Sequence, residues 1–239
     1  MPTIKIENIN VTFKQKTGTF RILKDLTTSF PSGKTSVIIG SSGCGKTTLL
    51  RAIIGLVSYE GKIFFDEMDD SSLTIQDKNI SYVSQNLSLF PSLTIFNNIA
   101  APLKSMRISG DEIRRRVYEV AELLKISPCL SRKPNQISLG QRQRAAIARA
   151  LIKRPNFFIF DEPFSSLDNE TSLAIIEDMK EIFAKFNATV IFVSHDVREA
   201  MLLADEIYVM HDGTMIEHNT PQEIVFSVNP IVSEFFKEL

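Results

Sequence analysis

The chain has 239 residues, 44% hydrophobic and 23% charged, with a formal net charge of −1. This supports one large core and leaves no whole-chain electrostatic case for nucleic acid or an acidic membrane surface. Two cysteines without paired spacing, Cys44 and Cys129, suggest neither a disulfide scaffold nor a zinc site and point to a reducing compartment. The start, MPTIKIENIN, lacks the apolar core of a signal peptide, and no run approaches the roughly 18 apolar residues of a membrane span, so any membrane role is expected to go through a partner.

Ile4, Ile6 and Ile9, continued by Val11 and Phe13, alternate and predict strands. Residues 14–19 are polar with Gly18 and predict a hairpin loop. Residues 26–30 predict a further strand and 31–33 a turn. The first 33 residues therefore read as antiparallel strands rather than a βαβ unit. Residues 35–39 form a β-branched run and predict a buried strand. Residues 40–48 follow, then a helix over 48–54 stopped by Gly55. Strands are predicted over 61–65 and 80–83, with an acidic loop over 66–72, and a loop over 86–92 follows Ser84-Gln85.

Residues 93–103 carry a helical spacing. Residues 111–125 predict an amphipathic helix with Ile113, Val117, Val120, Ala121 and Leu124 on one face. Arg114, Arg115 and Arg116 then read as a solvated face. Residues 134–137 link to a helix running from Ser138 through Leu151. Four bulky residues, 157–160, predict a buried strand that runs straight into Asp161-Glu162. Beyond it come a helix over 170–186, a strand over 189–193, a helix over 196–203, and a strand over 207–210. Asp212-Gly213 turns a hairpin into 214–217. Thr220 caps a short helix with Pro221 in its first turn, and 229–239 predicts one more helix.

Strands that follow helices imply a parallel sheet with right-handed crossovers. The helical stretch from about 93 to 151 is too long for one crossover and reads as an insertion. The predicted fold class is α/β. Residues 40–48, GSSGCGKTT, fit the P-loop pattern, so the core (34–59, 76–85, 152–217) reads as that of a P-loop NTPase with a mainly parallel sheet, joined to an N-terminal antiparallel β subdomain (1–33, 60–66). A helical subdomain (86–151) is inserted, and C-terminal helices span 218–239.

Residues 40–48 read GSSGCGKTT and fit G-x-x-x-x-G-K-[ST], with Gly40, Gly45, Lys46 and Thr47 in register. A triphosphate needs many donors close in. Gly40, Gly43 and Gly45 let backbone N–H groups wrap it at a helix N-terminus that favours negative charge. Ser41, Ser42, Cys44 and Thr48 complete the loop. Lys46 would reach the β- and γ-phosphates, and the Thr47 hydroxyl would coordinate Mg²⁺. The same helix end is expected to lower the Cys44 thiol pKa, so that alkylation inactivates and a bound Mg·nucleoside triphosphate protects. Asp161 and Glu162 sit at a strand's C-terminal end, where ligands bind in open α/β sheets. Asp161 would hold Mg²⁺, and Glu162 would deprotonate the attacking water.

Laid out in this order, the P-loop, Gln85, Ser138-Leu139-Gly140-Gln141, Asp161-Glu162, Ser166-Leu167-Asp168 and His195 resemble the nucleotide-binding subunit of an ABC transporter over essentially the whole chain. The resemblance implies ATP and Mg²⁺ as cofactors. Phe13 matches the aromatic that stacks on adenine. Gln85 matches the glutamine that contacts Mg²⁺ and the attacking water. His195 matches the switch histidine on the γ-phosphate, and Asp168 matches the loop between paired subunits. Ser138, Gly140 and Gln141 match a signature that closes over the other subunit's nucleotide. Residues 137–141 read ISLGQ where the family reads LSGGQ, and Leu139 is expected to tune the rate.

The implied active unit is a dimer, most simply of identical chains, with two ATP molecules sandwiched head to tail, and a monomer nearly inactive. Residues 87–96 match the groove where a polytopic membrane permease docks, with Phe90 and Phe96 as anchors or as subdomain core. A substrate-binding protein would act indirectly, and no nucleic acid is implied. The implied location is peripheral, on the cytoplasmic face of the cell membrane. A separate chain without a fused span or added regulatory domain suits an importer. Residues 195–221 look most like importers of polyamines, inorganic anions, metal ions or thiamine. Competing readings are an ABC subunit driving an enzyme or lipoprotein-handling complex, and a soluble ABC protein of DNA repair or translation. The latter usually carries two domains or a long coiled-coil insertion.

Overall fold

The computed structural model describes residues 3–15, 18–74 and 76–237. In chain order the strands are β1 (Ile4–Gln15), β2 (Gly18–Phe30), β3 (Thr35–Ile39), β4 (Glu60–Phe65), β5 (Met68–Asp69), β6 (Ile80–Val83), β7 (Phe157–Asp161), β8 (Thr189–Val193), β9 (Glu206–His211) and β10 (Thr214–Asn219). The helices are α1 (Lys46–Ile53), α2 (Ile95–Ser105), α3 (Gly110–Leu123), α4 (Leu139–Leu151), α5 (Asn169–Phe186), α6 (Val197–Leu203), α7 (Pro221–Ile224) and α8 (Pro230–Phe235). No helix among the described residues is long and apolar enough to cross a membrane.

A six-stranded sheet runs in the order β10-β9-β3-β8-β7-β6. Every neighbouring pair from β9 to β6 is parallel, and only β10 turns back antiparallel at the edge. β3, β7 and β8 are buried along their whole length. That suits strands of a parallel sheet, which is covered on both faces, and even the polar Ser36 of β3 and Thr189 of β8 are buried. The two-residue period then sorts the side chains. Val37, Ile39, Phe158, Phe160, Val190 and Phe192 face a core shared with the helices. Ile38, Phe157, Ile159, Ile191 and Val193 face a second core, shared with α1 and the antiparallel sheet. Each fully buried Phe or Ile contributes about 1.5–3 kcal/mol relative to exposure. The sheet's C-terminal strand ends are thereby held by packing on both sides.

The antiparallel sheet has the order β2-β1-β4-β5. Ile4, Ile6, Ile9 and Val11 point inward against Leu23, Leu26 and Phe30, and a bulge between Ile6 and Ile9, with Asn8 at φ 49, keeps both on one face although three positions separate them. The loop expected at 14–19 is instead strand: Lys14 pairs with Thr19 and Gln15 with Gly18. β2 consequently starts at Gly18, not at 26. This arm is exposed where its burial is described, so it carries no alternation to mark it as sheet. Its turn, 16–17, falls outside the described residues. The acidic segment after β4 also differs from a plain loop. Asp66 turns with φ 58, β5 pairs back on β4, and Asp69 caps a 3-10 turn through Ser71.

α3 buries Ile113, Val117, Val120 and Ala121 and is capped by Ser109. Arg115 and Arg116 pair with Glu112 near its surface, as a solvated face should. The tail helix is shorter than predicted. α8 covers only Pro230–Phe235, capped by the Asn229 side chain, and residues 238–239 lie outside the described set. Thr220 sits at the cap position of α7, but its hydroxyl donates to Glu223 instead of accepting a backbone N–H.

Candidate active site

β3 delivers the chain into Gly40, and α1 begins six residues later at Lys46. Gly45 precedes the helix with φ 110, and no side chain caps it. The first-turn N–H groups therefore face the loop with no protein cap, an anion-binding arrangement. Gly40 is required by contact: a Cβ there would lie 2.2 Å from the Met210 carbonyl oxygen. The buried Lys46 ammonium curls over the loop, donating to the Gly40 carbonyl at 2.8 Å and the Ser41 carbonyl at 3.1 Å. Ser41, Ser42 and Gly43 are exposed, while Thr47 and Thr48 are half-buried.

Cys44 corrects the expectation of a lowered thiol pKa. Its side chain is buried in the second core, and burial pushes the thiol up, with Lys46 opposing only in part. Desolvation wins because the Lys46 ammonium, 4.0 Å from the sulfur and already donating to the Gly40 and Ser41 carbonyls, does not make good the water a thiolate would lose.

Asp161 ends β7 at 5% exposure. Its Oδ1 accepts from the Thr47 hydroxyl at 2.8 Å and its Oδ2 from the Tyr82 hydroxyl at 2.8 Å. Burial, and then the bond to Asp161, push the Tyr82 phenol well up, which keeps it a donor. The next residue, Glu162, holds φ 46, the left-handed region that a non-glycine residue enters at a cost. Its N–H donates to the Val193 carbonyl at 3.1 Å. This turn aims the Glu162 carboxylate at His195, whose Nδ1 lies 3.5 Å away. Gln85 reaches the same turn by relay, donating to the Ser165 hydroxyl at 3.0 Å, which donates to the Glu162 carbonyl at 3.1 Å. Below His195, Ser194 donates to the buried Glu199 at 2.6 Å, and burial raises the Glu199 carboxyl.

The structure thus gathers Thr47, Asp161, Glu162, His195 and, through Ser165, Gln85 near the P-loop's helix. It does not gather Ser138, Gly140, Gln141, Asp168 or Phe13 there. Ser138 is exposed at the start of α4 in a capping box, its Oγ accepting from Gln141 N–H at 3.2 Å and its N–H donating to Gln141 Oε1 at 3.1 Å. A Cβ on Gly140 would meet Thr171 Cγ2 at 3.0 Å, so the start of α4 lies against the start of α5. Asp168 caps α5 by accepting from the Thr171 N–H and hydroxyl, which lower its carboxyl pKa. Phe13 is 40% exposed on the β1–β2 arm, opposite Phe20.

In the segment after Gln85, Leu87 and Leu89 pack on the helical core and Phe90 is exposed. Arg149 of α4 donates to the Leu87 and Ser88 carbonyls at 2.8 and 2.7 Å. Phe96 packs on the helical core, edge-on to Tyr118. Leu139 lines a groove there with Gln85, Pro134, Arg142 and Ser166.

Mg²⁺ fits the donor set. Thr47 and Asp161 offer hard oxygens at 2.8 Å from one another, the ligand chemistry that this ion prefers. No cluster of three or more His, Cys, Asp or Glu among the described residues could cage a metal. Phosphate oxygens and water would therefore supply most of the ligands. Tyr82 is the site residue that sequence reasoning missed. Its only signal was an aromatic residue three positions before Gln85.

A phosphate-wrapping loop on a parallel sheet, with carboxylates at the neighbouring strand ends, defines a P-loop nucleotide-binding protein. The profile of the ABC transporter family matches residues 23–165, and the chain belongs to that family. It is 39% identical over 225 residues to the sn-glycerol-3-phosphate import ATP-binding protein UgpC of Bartonella bacilliformis, covering 94% of this chain and 64% of that protein. It is 40% identical over 238 residues to the sulfate/thiosulfate import ATP-binding protein CysA 2 of Rhizobium meliloti, covering 97% and 64%. The chain therefore spans a little under two thirds of the length of these relatives. Among solved structures, the dimeric MJ0796, a bacterial ABC transporter cassette, superposes with a TM-score of 0.82 at 31% identity over 91% of this chain and 98% of that one. Its post-hydrolysis state bound to ADP and Pi gives 0.82 at 30% identity, with the same coverage.

Proposed function

We propose that the chain is the ATP-hydrolysing subunit of a membrane importer for a small solute. The observation that carries this is the double row around the P-loop: Thr47 on Asp161, and Glu162 facing His195. Backbone donors of residues 40–48 and the Lys46 ammonium bind the phosphates, and Phe13 stacks on adenine. Thr47, Asp161 and Gln85 hold Mg²⁺, which when bound neutralises phosphate charge. Glu162 takes the proton of the attacking water, and His195 holds the γ-phosphate side of the site.

Ser138, Gly140 and Gln141 serve the nucleotide of a second subunit, most simply a second copy of this chain, and Asp168 lies between the two. The exposure of Ser138, and the dimeric form of a similar cassette, support that reading. Residues 86–151 act as a helical subdomain, and 87–96 dock a polytopic permease at the cytoplasmic face, with a binding protein delivering solute from the far side. The relatives named above import sn-glycerol-3-phosphate and sulfate or thiosulfate. Of the solute classes considered, the sulfate or thiosulfate relative favours inorganic anions, while an organic phosphate lies outside them.

The chemistry is tested with Glu162→Gln, which should bind ATP, dimerise stably in light scattering, and lose about 10²–10⁴-fold in turnover. Retained turnover removes Glu162 from the role of base. The transport half is tested by copurification: a polytopic membrane protein should accompany the chain, and a solute-loaded binding protein should stimulate its ATPase. Full activity without a membrane partner, and no stimulation with one, would overturn it.

A further inference from the structure

We propose that Tyr82 is a positioning residue for the divalent-cation site. β6 and β7 run parallel with Tyr82 in register with Ile159. The long phenol can therefore reach along its neighbour to the carboxylate at the end of β7. Its hydroxyl donates to Asp161 Oδ2 at 2.8 Å while Thr47 donates to Oδ1 at 2.8 Å. A carboxylate held by one donor on each oxygen can no longer rotate about its Cβ–Cγ bond without breaking a bond. Asp161 is buried, with no bulk water to replace a lost partner. The Thr47 oxygen keeps its lone pairs free for a cation.

Tyr82 itself is half-buried, its ring packed against the second core. Arg51, in the last turn of α1, lies near enough to act on the same phenol. Phenylalanine would fill the same space, so packing does not require the hydroxyl. What the hydroxyl adds is the fixed plane of Asp161. It also ties Asp161 to β6, whose end leads within two residues to Gln85. Two groups read as serving the cation from different strands thus share one strut. Outer partners of this kind commonly change metal affinity about 10–100-fold when lost.

This rests on the reading that Thr47 and Asp161 face the cation, and the experiment separates the two. Mn²⁺ is titrated into the full chain with a non-hydrolysable ATP analogue, and bound Mn²⁺ is followed by electron paramagnetic resonance. In Tyr82→Phe the Mn²⁺ midpoint should rise about 10-fold. Nucleotide affinity in EDTA should stay within twofold, and ATPase should recover at high Mg²⁺. A midpoint within twofold of the parent overturns the proposal, as does a lowered melting temperature with the midpoint unmoved. Asp161→Asn is the control. If it leaves the midpoint unmoved, the cation-site reading itself fails, and the positioning role with it.

Discussion

The P-loop end of the molecule and the start of α4 make opposite use of their polar groups. Around the P-loop, Lys46, Asp161 and Glu199 are buried, and each already has its partner within the chain. At the start of α4, Ser138 is exposed, and its bonds go to Gln141 and Arg142 of its own helix. The first region is expensive to assemble and is held by two cores. The second is capped from within its own helix, Ser138 and Gln141 satisfying one another. A group poised to meet a second molecule must be stable without it, and the α4 cap meets that requirement.

The largest effect should come from Glu162→Gln at the P-loop end, a turnover loss of about 10²–10⁴-fold with nucleotide still bound. Turnover and binding falling together would mean that Glu162 shapes the site and does not act on water. Next, Gly40→Ala should cost at least about 1–3 kcal/mol in denaturant unfolding and abolish nucleotide binding, because its methyl would run into Met210. Unchanged binding would show that the loop tolerates a shift the packing forbids. At the other region, Ser138→Ala should cost only about 1 kcal/mol by loss of the cap. Its turnover should nevertheless fall well beyond what that instability explains. A fall no larger than the unfolded fraction would confine Ser138 to capping and erase the contrast.

The smallest effect concerns Cys44. Its pKa is raised by burial, so the folded chain holds less thiolate than free cysteine at any given pH. Alkylation at neutral pH should therefore be slower than for a free thiol, and should speed up only as pH climbs past the ordinary thiol range. A mass-spectrometric rate at Cys44 equal to that of free cysteine at pH 7 would overturn the raised thiol, and a faster one would restore the lowered-thiol expectation.

The elements of the parallel sheet were legible because β3, β7 and β8 each carry at least three consecutive bulky apolar residues, ending at Gly40, Asp161 and Ser194. The β1–β2 arm was not. The strand reading stopped at Phe13: Lys14, Thr19 and Phe20 beyond it are all exposed, and an arm without a buried face has no period to read. Cys44 shows the same limit in chemistry. Its place beside a helix N-terminus is written in the chain, but its depth in a core built from β1, β2 and β9 is not.

The P-loop belonged to the sequence alone, because wrapping a phosphate takes consecutive backbone donors, and consecutive residues are what a sequence records. The same is true of Asp161 and Glu162, which ride on the end of one strand. That Thr47 meets Asp161 across 114 positions, that Tyr82 meets it from another strand, and that Glu162 turns toward His195 were decided by the tertiary structure. Those contacts depend on which strands lie side by side and in what register, and that is settled by how two cores pack against one sheet.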